Sequence, residues 1–356
     1  MRSMNRILLF HIGHLGDTLM VVPSYWALAK TFTRASFSLL TDMMIEGKYV
    51  PAEQLFRGTE FFEQILTFEK GGAAKRCGMA AQWSILAALR RYHYDAVAYL
   101  VPSLRQPLQV NRDKLFFRLA GINHFLGFKG FHPVSDDADG LHEAQRILHR
   151  LALDGVDCSE TKFDLLLGSK EKLAVDRWST AHSAVIKTEF LIAFAPGSKM
   201  QAKRWPLDRF ADLGERILSR FRVTPVVVGG DEDRELGNEL LSRWKCGLNA
   251  AGVFSVRESA ELLRRCRLYI GNDTGAMHLA AAVQTHCLAI FSARDIPFKW
   301  HPFGEGHIVL RKPVDCQGCK LTMCSHQTCL QLITVDEAFE KALSMIEKIR
   351  AADETL

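Results

Sequence analysis

The chain has 356 residues, 48% hydrophobic and 24% charged. That is too long for one small core and suits two domains of ordinary size, while the apolar fraction excludes a disordered or collagen-like chain. Lys and Arg number 45 against 40 Asp and Glu, a net charge of +5. So mild a charge, with no dense basic run carrying interleaved aromatics, argues against nucleic acid but is compatible with phosphorylated small molecules or an anionic membrane surface.

No uncharged apolar run reaches the roughly eighteen residues of a spanning helix. The first apolar stretch, Ile7 to Phe10, is too short for a secretory h-region. The expectation is a cytoplasmic, soluble protein. Nine cysteines, an odd count over a long chain, do not read as a disulfide scaffold.

In chain order, Arg6 to Phe10 reads as a buried strand, closed by a glycine-bearing turn. Leu19 to Phe32 has helical spacing, with Pro23 at its first turn or at a kink. Ala35 to Thr41 is a strand, Trp83 to Arg91 a helix and Ala96 to Val101 a strand. The pattern restarts with a strand at Phe190 to Ala195, a helix from Leu207 to Arg220 and a strand at Val223 to Val228. A helix at Ser259 to Cys266, a strand at Leu268 to Ile270, a helix at Met277 to Val283 and a strand at Cys287 to Phe291 follow. Val335 to Ile349 closes the chain as an amphipathic helix.

Strands alternating with helices imply parallel sheets covered on both faces. Two such α/β halves are expected, joined between Leu167 and Glu189. Open sheets place ligands beyond the carboxyl ends of their strands. If the halves face one another, the active site is the cleft between them.

Three strand-end loops carry chemistry. The first runs from His11 to Thr18 through Gly13, His14, Gly16 and Asp17. Asp17 at a helix start is either an N-cap or a general base kept ionised by the helix terminus. His11 and His14 are weaker candidates for a base or ligand. Asp42 stands where a dinucleotide-binding fold holds its ribose, but the loop is G-x-x-G-D rather than G-x-G-x-x-G.

The second loop carries Gly197, Ser198, Lys199, Lys203 and Arg204 before Trp205 and Pro206. A hydroxyl and several cations can surround a diphosphate; the alternative is a solvated basic loop. Trp205 and Pro206 read as structural. The third loop is Asn272, Asp273, Thr274, Gly275, Ala276, Met277 and His278, then small residues. Asp273 and Thr274 either cap a helix or, with Gly275, cradle an anion within reach of His278.

The Gly16–Asp17 turn, the Gly197–Pro206 loop and above all the Asn272-to-Ala281 segment resemble glycosyltransferase family 9, the lipopolysaccharide heptosyltransferases. The resemblance implies a GT-B fold, two Rossmann-like domains with parallel sheets across a cleft. It implies inverting transfer of a heptose from an ADP-activated donor to a lipid-linked core saccharide.

By the same resemblance Asp17 is the general base, and Gly16, Ser198, Lys203, Asp273, Thr274, Gly275 and His278 contact the donor and its phosphates. Glu232 would hold the donor ribose, and the backbone at Phe254 would pass under the adenine. Ala276 stands where the family often has Pro, and the segment between Pro51 and Gly140 matches poorly. No Asp-x-Asp pair is placed to hold a divalent ion; Asp231 to Asp233 can equally be a solvated turn. No metal or other cofactor is expected.

The expected domains are 1–180 for the acceptor and 181–334 for the nucleotide sugar, with a helix at 335–356 packing back on the first domain. Arg105, Arg112, Lys114 and Arg118 read either as a solvated face or as contacts to an acidic acceptor and the anionic inner leaflet. Cys316, Cys319, Cys324 and Cys329 lack the separated C-x2-C pairs of a convincing zinc site and are expected as reduced thiols. A nucleotide-sugar-binding protein without transfer, and a nicotinamide-dependent dehydrogenase, remain as alternatives.

Overall fold

A computed structural model describes residues 4–44, 50–70, 79–103, 105–131, 140–160, 162–186, 188 and 190–353. The start of the N-terminal segment and Glu189, the far end of the expected join, lie outside the described residues. The chain divides into two compact units, Met1–Leu166 and Leu167–Leu356.

The first unit comprises β1 (Arg6–His11), α1 (Leu15–Thr31), β2 (Ser36–Met44), α2 (Ala52–Phe56), β3 (Gln64–Lys70), α3 (Met79–Tyr92), β4 (Ala96–Tyr99), α4 (Pro107–Leu119), β5 (His124–Leu126) and α5 (Glu143–Ala152). Its sheet has the order β3-β2-β1-β4-β5, every pairing parallel. β1 is central and apolar on both faces, as a strand covered on both sides must be. The chain winds outward through β2 and β3, then crosses to β4 and β5. Right-handed crossovers therefore put α1 and α2 on one face and α3 and α4 on the other. Pro23 lies in the interior of α1, where it cannot donate to the carbonyl one turn back.

The second unit comprises α6 (Ser169–Ala181), β6 (Leu191–Ala195), α7 (Leu207–Arg220), β7 (Thr224–Val227), α8 (Arg234–Trp244), β8 (Leu248–Asn249), α9 (Val256–Arg265), β9 (Cys266–Asn272), α10 (Gly275–Ala282), β10 (His286–Ile290), β11 (Ile308–Leu310), α11 (Thr328–Gln331) and α12 (Val335–Asp353). Its parallel sheet runs β11-β10-β9-β6-β7-β8. Strand order reverses between β6 and β9, the place where an open α/β sheet opens a crevice at its carboxyl edge.

The boundary lies at 166/167 rather than at 180/181, because α6 packs on α9 and pairs with it: Glu171 accepts from Arg257 at 2.7 Å and Asp176 from Arg265 at 2.7 Å. The terminal helix, expected on the first domain, packs on α7 of the second unit. Ala338, Ala342, Met345 and Ile346 enter that unit's core beside Phe210, Leu213 and Ile217. No helix among the described residues is long and apolar enough to cross a membrane.

Gly214 shows how tightly this core is filled. A Cβ there would lie 2.3 to 2.5 Å from the Trp244 indole, whose Nε1 is fixed by donating to Ala211 O at 2.9 Å. Gly to Ala in a helix interior ordinarily gains up to about 1 kcal/mol, whereas overpacking costs about 1–3 kcal/mol. Gly214→Ala should therefore lower the denaturation midpoint of the second unit, followed by Trp244 fluorescence; a raised midpoint would show that the ring gives way freely.

Candidate active site

The first strand-end loop is built around two acids. Asp42 at the end of β2 is buried, and its Oδ1 accepts from Gly13 N–H at 2.9 Å. Gly13 has φ +135°, and a Cβ there would lie 2.6–2.7 Å from the Asp17 side chain. The turn thus demands glycine and presses the backbone against Asp17.

Asp17 is the third residue of α1 and half-buried. Its Oδ2 accepts from His14 N–H at 2.8 Å, so it caps the helix from inside the first turn rather than from the N-cap position.

His11 is fully buried, bonded through Nε2 to Thr18 Oγ1 at 3.0 Å. Burial lowers its pKa to about 4, although Asp42 and the Leu100 backbone pull it up. It is a neutral core imidazole, not a base at the surface. Asp42, engaged by the Gly13 turn, is likewise enclosed.

In the second unit the Gly197–Arg204 loop follows β6 and the Asn272–Gly275 loop follows β9, the two strands at the reversal. Asn272 ties them together. Its side chain is fully buried; Oδ1 accepts from Trp205 N–H at 3.0 Å, and Nδ2 donates to Pro196 O at 2.7 Å and Gly197 O at 3.5 Å. Trp205 is buried and donates through Nε1 to Ile333 O at 3.1 Å, as its structural reading requires.

On this frame Lys203 Nζ lies 2.6 Å from Asp273 Oδ2 and 3.3 Å from Asp295 Oδ2, its side chain 13% exposed. Burial alone would lower the Lys203 pKa, but Asp273 and Asp295 outweigh it and hold the ammonium above its usual value. Burial pushes Asp273 up, partly offset by Lys203. Burial also opposes ionisation of Asp295, yet Lys203 and Arg294 win and its carboxyl sits low. Arg294 Nη1 donates to Asp295 Oδ2 at 2.7 Å, and Arg311 donates to the Asp295 carbonyl. Lys203 and Arg294 thus contact the two carboxylates, and Arg311 stands beside them, a formal sum of +1 over the five side chains.

The remaining expected residues stand around this cluster. Ser198 Oγ accepts from Met200 N–H at 3.3 Å, and Arg204 Nε donates to Ser198 O at 2.7 Å, so Arg204 shapes the loop while Lys199 is exposed. Thr274 is the N-cap of α10 and Gly275 its first residue; His278 is buried on the first turn. Glu232 is exposed in the short 3-10 turn after β7.

Asp233, two residues after Asp231, is no solvated turn residue. Its Oδ2 accepts from Gly230 N–H at 3.0 Å, and a Cβ on Gly197 or Gly229 would lie 1.9 or 2.4 Å from its carboxylate oxygens. Asp231 is exposed and pairs with Arg234. Phe254 is half-buried against Trp178, ring centroids 5.4 Å apart.

The expected acceptor arginines are partly spoken for. Arg105 Nη2 and Arg112 Nη2 lie 3.3 and 2.9 Å from the buried Asp113 carboxylate, which also accepts from Tyr99 O–H at 2.9 Å.

Cys316, Cys319, Cys324 and Cys329 are free thiols around one cavity of about 40 Å³. Among the described residues no group of three or more His, Cys, Asp or Glu could hold a metal. The cysteine-bearing segment braces the Lys203 turn. Ala202 N–H donates to Thr322 O at 3.1 Å and Cys324 N–H to Gln201 Oε1 at 2.8 Å. Gln327 Nε2 donates to Gln201 O at 2.7 Å, and Arg294 Nε to Leu321 O at 2.7 Å. Sequence reasoning missed Asn272 as a tether, Asp295 as a partner of Lys203, Arg294 as a partner of Asp295, and this brace. Asn272 and the cysteines of the brace belong to motifs that stand out in the sequence; Asp295 and Arg294 do not.

A family model described as glycosyltransferase family 9 (heptosyltransferase) matches residues 83–330. The chain belongs to glycosyltransferase family 9.

Lipopolysaccharide heptosyltransferase 2 of Salmonella typhimurium is 32% identical over 108 residues, 28% of this chain and 30% of that protein. The match therefore spans about a third of the length of such curated relatives. The crystal structure of a glycosyl transferase family 9 protein from Veillonella parvula DSM 2008 aligns with TM-score 0.76 at 20% identity, covering 97% of this chain and 99% of that one. The E. coli heptosyltransferase WaaC with ADP-2-deoxy-2-fluoro heptose aligns with TM-score 0.65 at 16% identity, covering 95% and 99%. These likenesses are of fold. The family 9 chain has the GT-B architecture, two α/β units each with a parallel sheet.

The buried His11 makes a pH prediction. An unfolded histidine titrates near 6.5, whereas His11 in the fold titrates near 4. As pH falls from 6.5 towards 4 the unfolded chain takes up the proton first, and stability is lost by up to about 3 kcal/mol. Denaturant unfolding at pH 7 and pH 5 should show a smaller acid loss in His11→Gln than in the wild type. Equal losses would place a protonated or exposed ring at position 11.

Proposed function

We propose that this family 9 protein transfers a heptose from an ADP-activated donor to a lipid-linked saccharide of the lipopolysaccharide core, with inversion at the anomeric carbon. The observation that carries the reading is the cluster of three cations and two carboxylates at the β6/β9 reversal, with Lys203 between the carboxylates beside the N-terminus of α10. Such a pocket suits a diphosphate. The WaaC structure with a fluorinated ADP-heptose supports ADP as the nucleotide, and the heptosyltransferase relatives support the sugar and the core acceptor.

In this mechanism Asp17 takes the proton from the acceptor hydroxyl. The oxygen attacks the anomeric carbon as the bond to the diphosphate breaks. Lys203, Ser198, Thr274 and the backbone N–H groups at the N-terminus of α10 stabilise the charge on departing ADP. Asp273 and His278 orient the sugar and phosphates, and the Gly16 backbone leaves room for them. Glu232 and the backbone at Phe254 hold the ribose and adenine. Arg105 and Arg112 face the acceptor, Arg112 with the freer guanidinium.

Inverting chemistry needs a base for the acceptor hydroxyl and a clamp on the leaving group, the roles this reading gives to Asp17 and to Lys203. The enzyme would work in the cytoplasm, in peripheral contact with the inner membrane that carries its acceptor.

Asp17→Asn should lower the transfer rate about 10²–10⁴-fold, measured by mass spectrometry with ADP-heptose and a heptose-deficient core lipid, while ADP affinity stays within about twofold of the wild type. Transfer at the wild-type rate would remove Asp17 from the chemistry.

A further inference from the structure

Phe298, in the loop after β10, is 52% exposed. Its neighbours are turned inward: Pro297 and Trp300 are half-buried, and Lys299 is buried with its Nζ 5.6 Å from the centre of the Trp300 ring. The turn that displays the ring is fixed from below. Phe298 N–H donates to His301 Nε2 at 3.2 Å, and His301 N–H donates to Phe298 O at 3.3 Å. The His301 ring lies 5.2 Å, centre to centre, from both Phe298 and the buried Phe291 that follows β10.

The backbone at this residue is strained. Phe298 follows Pro297 with φ +67°, the left-handed region that turns ordinarily give to Gly or Asn. There the Cβ of an L-residue crowds the following carbonyl oxygen. A bulky residue keeps such a conformation only where its surroundings over-determine it, and such residues cluster at active sites and ligand clamps. Packing within the chain does not account for the choice of Phe, because half of the ring faces water.

Its place in the sheet says what the ring can meet. Asp295, three residues earlier, holds Lys203, and three residues of chain span at most about 11 Å. The strand order is β11-β10-β9-β6-β7-β8. In the proposed function the diphosphate lies at the loops after β6 and β9, and the nucleoside lies at Glu232 and Phe254, after β7 and β8. The group on the other end of the diphosphate then extends towards β10, where Phe298 stands. We propose that Phe298 is a specificity-determining residue for the donor, its ring packing on the C–H face of the sugar that the diphosphate carries. The inference rests on the donor reading of the Lys203 cluster. Pyranose rings expose apolar C–H patches between their hydroxyls, and aromatic side chains in ligand sites bury such patches. A ring already fixed by its turn loses little freedom when the sugar arrives.

The test is calorimetric titration of the full chain with ADP and with ADP-heptose, in the wild type, Phe298→Asn and Phe298→Tyr. Asn accepts positive φ, so Phe298→Asn should unfold at the wild-type denaturant midpoint or at a higher one. It should bind ADP within about twofold of the wild type but ADP-heptose about tenfold more weakly. Phe298→Tyr keeps an aromatic face and should bind both ligands as the wild type does. A loss of ADP affinity as large as the loss for ADP-heptose would overturn the proposal, because the ring would then serve the nucleotide or the fold. Wild type that binds both ligands while Phe298→Asn binds both equally well would sink this proposal alone. Wild type that binds neither would sink the donor reading and this proposal with it.

Discussion

One buried amide organises the second unit. The Asn272 side chain has no contact with water, so its donors and acceptor must be met within the protein or cost about 1–3 kcal/mol each. They are met by Trp205 N–H, Pro196 O and Gly197 O. Those three groups bracket the loop that carries Ser198 and Lys203, and Asn272 itself ends the strand that precedes Asp273. Satisfying one amide therefore sets the separation of the two loops. The Lys203 contacts to Asp273 and Asp295 then follow from neighbouring strands, since β6, β9 and β10 lie side by side. A cation fixed in this way meets an incoming anion with little reorganisation, which is the condition for electrostatic stabilisation of a leaving group.

The two units use one topological device differently. In the first, the glycine turn after β1 is held from below by Asp42 and packs against Asp17, so the loop presents a carboxylate at a helix N-terminus. In the second, loops after β6 and β9 are tied to each other and present a lysine among acids. The cysteine-bearing segment belongs to this second arrangement. It grips Gln201, Ala202 and Arg294, the immediate surroundings of Lys203 and its Asp295 partner.

Much of this was legible in the sequence because the strands are short apolar runs ending in glycine or polar turns. β1, β6, β9 and β10 were found that way, and so were the loops behind them. Other features carry no local signal. β3 is largely polar, and β8 is two residues long. Asp295 follows an apolar strand in no recognisable motif, and its role comes from a neighbour 92 positions earlier in the chain. Burial also reverses local readings. His11 looks like a loop histidine until its full enclosure makes it neutral, and Arg105 looks like free charge until Asp113 is folded against it. The domain boundary shifted for a related reason: α6 is assigned by ion pairs to α9, which no linker composition announces.

Whether the Lys203 cluster receives a diphosphate, as proposed, is tested most directly by calorimetric titration of ADP and AMP against wild type and Lys203→Ala. ADP should bind wild type about tenfold or more tightly than AMP, and the variant should erase most of that difference. Equal affinities in the wild type, or an unchanged gap without the lysine, would contradict it.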